Sequence, residues 1–94
     1  MYAVFVEVNA TDANVDEARK YLPEIAVPMA KQNGATAGYW LAPAGSDRGL
    51  SVTVYETEAE ARAVASQFTV GAQSGPLPDV TFRTIEVREV LAAL

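Results

Sequence analysis

The stretch Ala35–Thr57, ATAGYWLAPAGSDRGLSVTVYET, leaves this chain few ways to fold. Its second half, Gly49–Tyr55, alternates: Leu50, Val52 and Val54 point one way, Ser51, Thr53 and Tyr55 the other. Period-two alternation of β-branched and aromatic residues marks a strand. The first half, Thr36–Leu41, reads as another strand and carries the only tryptophan, Trp40. Between them Pro43–Gly49 is a cluster of turn formers, with no Asn-Gly or Asp-Gly pair to close a two-residue turn. The stretch is a β-hairpin with a longer loop.

Helical patterns flank the hairpin. Upstream, Val15, Ala18, Leu22, Ile25, Ala26 and Met29 form one apolar stripe, with Asn14 as the expected N-cap and Glu17 three residues on. Pro23 and Pro28 interrupt it, at a cost of about 3 kcal/mol each in an ideal helix interior. The stripe keeps its phase across both, which predicts one kinked or segmented helix, stopped by Gly34 in the left-handed conformation. Downstream, Thr57 and Glu60 form a capping box, and Ala61, Val64, Ala65 and Phe68 make the apolar stripe of a helix over Glu58–Phe68.

Two outer strands complete the plan. In Tyr2–Asn9 the row Tyr2, Val4, Val6, Val8 is wholly apolar and should meet the helices; Ala3, Phe5, Glu7 and Asn9 form the other face. In Val80–Glu89 the apolar residues change phase between Phe82 and Ile85, which calls for a bulge or for burial on both faces. The tail from Val90 to Leu94 reads either as a frayed continuation or as an arm on a partner subunit. The order β-α-β-β-α-β predicts an α+β, ferredoxin-like domain over residues 1–94. It has a four-stranded antiparallel sheet in the order 4-1-3-2 and two helices on one face.

A chain of 94 residues, half of them hydrophobic, can build a core. At this size it buries only roughly 60–65% of its unfolded surface. One sheet face stays bare, and a second copy of the chain is its simplest cover, so a homodimer is expected. The net charge of −5, with the few basic residues scattered, disfavours phosphate-directed binding, so no nucleic acid or membrane partner is expected. No apolar run approaches the ~20 residues of a spanning helix, and no leader pattern opens the chain, so a cytoplasmic protein is expected. Cysteine and histidine are both absent, which removes thiolate nucleophiles, Cys/His zinc sites, Ser-His-Asp chemistry and haem held by a proximal His or Cys of this chain. No acidic spacing suggests a calcium loop, and no cofactor or metal is expected.

The helix end and hairpin, VPMAKQNGATAGYWL and then LSVTVYETEAEARAVA, resemble the dimeric α+β barrel superfamily, in particular small proteins of the antibiotic-biosynthesis-monooxygenase type. The resemblance covers nearly the whole chain. It implies sheet-to-sheet dimers and, in each subunit, a cavity between sheet and helices. It also implies activities of the superfamily: cofactor-free oxidation of polycyclic phenols and haem degradation. Haem-degrading members use an asparagine near the end of strand one, a tryptophan, and a histidine on helix two. Asn9 matches the asparagine by position. The second helix here has no histidine and Trp40 lies on strand two, so haem degradation is not expected.

Each candidate site residue has two readings. Asn9 is a turn residue, or it hydrogen-bonds a phenol or an oxyanion. Trp40 is a packed aromatic, or it stacks on a planar ligand. Tyr55, with Ser51 and Thr53, lies half-buried at the dimer interface or in solvent, or else lines a cavity. Tyr39 shares that ambiguity, as do Tyr2 and Tyr21. Arg83 is a paired or solvated charge, or it anchors an anionic substrate. The favoured function is a small homodimeric domain that binds a small apolar or aromatic molecule between sheet and helices. The alternative is a cofactor-independent monooxygenase acting on an electron-rich aromatic, with Asn9 and Trp40 catalytic and Tyr39, Tyr55 and Arg83 binding substrate. A third reading is a subunit whose role is association alone.

Overall fold

In the computed structural model, which describes residues 1–94, the first helical segment breaks where its prolines fall. Helix α1 (Val15–Tyr21) passes into a π-helical turn, Leu22–Ala26, and then into α2 (Val27–Gln32). Pro23 has no N–H, and its ring would strike the carbonyl one turn back. The wider turn, closed by the Val27 N–H donating to the Leu22 carbonyl, accommodates it. Pro28 falls in the first turn of α2. The segment is the broken helix the sequence predicts. It ends on Gly34 at φ 96°, with the Gly34 N–H donating to the Lys31 carbonyl at 3.1 Å and Ala35 to Ala30 at 3.0 Å.

The start of this segment differs from expectation. Asn14 already has helical backbone angles and caps nothing; Thr11 opens a 3₁₀ turn over Asp12–Asn14. The Thr11 N–H donates to Asn14 Oδ1 at 2.9 Å, so Asn14 takes the role assigned to Glu17.

Strands β1 (Tyr2–Asn9), β2 (Ala37–Leu41), β3 (Arg48–Tyr55) and β4 (Thr81–Glu89) form one antiparallel sheet in the order β2-β3-β1-β4. This is the predicted ferredoxin-like arrangement. Along β1, Val4 lies between Thr53 and Val87, and Val6 between Ser51 and Ile85. The β1–β4 register jumps between the Glu7–Thr84 and Val8–Phe82 pairs, leaving Arg83 as the extra residue of a bulge. That bulge produces the change of phase seen in the sequence.

Helix α3 (Glu58–Ala65) keeps its capping box: Thr57 Oγ1 accepts from the Glu60 N–H at 3.2 Å, and the Thr57 N–H donates to Glu60 Oε1 at 3.2 Å. It stops three residues short of Phe68, which lies beyond the helix and stacks on Phe82 with ring centroids 4.9 Å apart.

The buried core consists of Val4, Val6, Tyr55, Ala61 and Val64, all between the sheet and α3. Tyr55, 1% exposed, belongs to the helix-facing side of β3, because Tyr2 and Val4 of that side oppose Tyr55 and Thr53. Its placement at an interface or in solvent is thereby corrected. The row Leu50, Val52, Val54 faces the open side of the sheet instead. The α1–α2 segment contributes no buried residue at all.

Candidate functional site

The α1–α2 segment stands off the sheet across a cavity of about 700 Å³. Its apolar stripe supplies one wall through Ala18, Leu22 and Ala26. Val6 and Val8 of β1 form the floor, Phe68 and Phe82 one side, and Trp40 of β2 the other. Of 33 lining residues 22 are hydrophobic, so the cavity favours an apolar occupant. Both ends of the helical cover are pinned. At its start the Asp12 carboxylate accepts from the Gly45 N–H at 3.1 and 3.2 Å, and Asn14 Nδ2 donates to Asp79 Oδ2 at 3.2 Å. At its end Gly34 packs so closely on Glu60 that an added Cβ would lie 2.6 Å from Oε2. The π-helical turn lies between these ties.

The loop after α3 closes the cavity beside Tyr21. It folds back on β4 through Gly71 N–H to the Phe82 carbonyl (2.8 Å), Phe82 N–H to Ala72 (2.9 Å) and Ser74 N–H to Val80 (2.8 Å). Gly75, at φ 80°, faces the Tyr21 ring, where an added Cβ would lie 3.2 Å from Cε2. Burial pushes the Tyr21 phenol above its ordinary pKa.

The five residues singled out from the sequence separate in space. Trp40 and Tyr55 line the cavity. Tyr39 also touches its edge, but strand alternation turns its ring to the open face of the sheet, and it is 69% exposed. Asn9 is exposed at the end of β1, where Nδ2 donates to Thr81 Oγ1 at 3.1 Å. Arg83, on its bulge, donates to Asp47 Oδ1 at 3.1 Å. Neither Asn9 nor Arg83 belongs to the cavity wall. The sequence reading missed Leu22, Phe68 and Phe82 as walls. Leu22 and Phe68 stand in the apolar helical stripes and Phe82 in the apolar phase of the last strand, patterns that do not distinguish a cavity wall from a packed core.

No carboxylate, lysine, histidine or cysteine lines the cavity. Arg19 at its margin is solvent-facing and paired with Asp16 at 3.4 Å. No three His, Cys, Asp or Glu side chains converge anywhere in the chain to hold a metal ion, and no helix is long and apolar enough to cross a membrane.

The opposite face of the sheet is also apolar. One cross-strand row runs Tyr39, Val52, Phe5, and another Ala37, Val54, Ala3. The charges beside them are paired: Glu7 with Arg48, and Glu86 with Arg88 at 3.0 Å. No protein-family model, curated protein or solved structure matches this chain.

Proposed function

We propose that this chain is a homodimeric binding domain that takes a small, apolar or aromatic molecule between its sheet and its α1–α2 segment. The observation that carries the reading is the position of that segment. An amphipathic helix buries its apolar stripe because burial is worth roughly 25 cal/mol per Å². Here the stripe borders a cavity of about 700 Å³ and not one of its residues is buried, so a bound apolar molecule completes the core. The volume lies within the range of small-molecule sites. Trp40 offers a flat face for stacking.

The homodimer is supported by the open face. Its apolar rows and internally paired charges suit a self-complementary surface. An oxidative role of the monooxygenase kind has weaker support. Asn9 lies outside the cavity, and no histidine or carboxylate reaches it to accept a proton, so a substrate would have to ionise unaided.

Titration with N-phenyl-1-naphthylamine, an uncharged fluorescent probe, tests the binding role. One probe per chain is expected, with uptake abolished in Ala18→Phe, which fills the cavity. Uptake unaffected by Ala18→Phe contradicts the site. Native mass spectrometry tests the assembly: a dimer is expected, and a monomer in Val52→Asp.

A further inference from the structure

The polar phase of β3 faces the cavity, which is the reverse of what a packed core would select. Ser51, Thr53 and Tyr55 alternate along the strand on the helix side, while Leu50, Val52 and Val54 face the open side. Thr53 is 9% exposed and Tyr55 1%, yet neither hydroxyl makes a hydrogen bond within the protein, and neither is sealed away without a partner. A hydroxyl with no partner in the protein takes one from water or from a ligand in the space it opens onto. Both residues line the cavity, and Ser51 lines it beside them. Opposite Thr53 stands Gly38, over which the Trp40 indole lies, and opposite Ser51 stands Trp40 itself, so the indole borders the row.

We infer that Ser51, Thr53 and Tyr55 are the specificity-determining row of this cavity, and that they read the polar edge of a flat, uncharged molecule. The inference rests on the cavity being a ligand site. Alternate residues of a strand stand about 6.6–6.8 Å apart, so the row suits hydroxyl or carbonyl groups repeated at that spacing along one edge. The molecule is uncharged because no lysine or carboxylate lines the wall, and Arg19 is already paired. Hydroxyls both donate and accept, so either kind of edge group is served. The apolar remainder of the molecule lies against Leu22, Phe82 and Trp40.

Calorimetric titration with three probes tests this: naphthalene, 2,6-dihydroxynaphthalene and 2,6-naphthalenedicarboxylate. The dihydroxy probe is expected to bind about tenfold more tightly than naphthalene, as two added hydrogen bonds allow, and the dicarboxylate more weakly than either. In Thr53→Val, which keeps the shape, the ratio of dihydroxy to naphthalene affinity should fall severalfold. Ser51→Ala, at a half-buried position, should lower it independently, so the test survives if one variant fails to fold. Equal binding of naphthalene and its dihydroxy derivative, or an unchanged ratio in both variants, overturns the inference while leaving the cavity a ligand site. Failure of all three probes to bind overturns both.

Discussion

The indole of Trp40 lies back over Gly38, so closely that a methyl group there would sit 3.2 Å from Cη2 and 3.3 Å from Cζ3. The same methyl would be 3.2 Å from Thr53 Cγ2. Gly38 thus sets the tilt of the ring that forms one cavity wall. Gly38→Ala should force the indole outward, shift the emission of this single tryptophan and weaken N-phenyl-1-naphthylamine binding about tenfold, or 1.4 kcal/mol. Unchanged emission and affinity would remove Trp40 from the wall.

Core and cavity residues should respond differently to truncation. Val64 is 4% exposed and packs in the core under α3, so Val64→Ala should cost about 2 kcal/mol. Leu22 borders the cavity, and Leu22→Ala should cost less than about 1 kcal/mol in the free protein. With saturating N-phenyl-1-naphthylamine the Leu22→Ala cost should grow. Denaturant melts with and without probe measure both.

Two backbone positions offer opposite outcomes. Gly34→Ala places a Cβ at φ 96° and 2.6 Å from Glu60 Oε2, so it disturbs the end of α2 and the cap of α3 together. A loss of about 2 kcal/mol is expected. Ala44 has φ 52°, a conformation that costs an L-residue roughly 1–2 kcal/mol. Ala44→Gly relieves it, and after the extra freedom of the unfolded glycine a gain of about 0.5 kcal/mol should remain, read as a rise in Tm of a few degrees.

Acid should destabilise the fold through two carboxylates, Glu7 on β1 and Asp47 in the loop before β3. A hydrogen bond from Thr84 and then one from Arg48 hold the Glu7 carboxyl below its ordinary value; Arg83 does the same for Asp47. Both folded values lie below the unfolded ones, so the unfolded chain binds more protons in acid. The stabilisation is complete above the usual carboxylate range near pH 4 and is lost as pH falls through the folded values. Arg83→Gln should flatten the Asp47 part of this slope in melts run between pH 6 and pH 2.

The fold was legible because its signals are local. The capping box at Thr57, the glycine at 34 and the phase change across Arg83 each act within a few residues. The site was harder to read for a physical reason. Alternation in β3 separates two faces without saying which is inside, and the usual rule sends the apolar row inward. Here the polar row is inside, because the space above it is a cavity and the apolar row meets the open face. Asn9 illustrates the same limit: its position near the end of β1 was clear, but not that Thr81 already engages it. Trp40 stands out by its rarity, whereas its wall partners Leu22, in a helical stripe, and Phe82, in a strand, look like ordinary apolar positions.

Nuclear Overhauser contacts from bound N-phenyl-1-naphthylamine show whether a ligand enters between the sheet and the α1–α2 segment. Contacts from the probe to the Trp40 ring and to the Leu22 methyls at once are expected. Contacts instead to Tyr39, Val52 and Phe5 would place the probe on the open face of the sheet and contradict binding in the cavity.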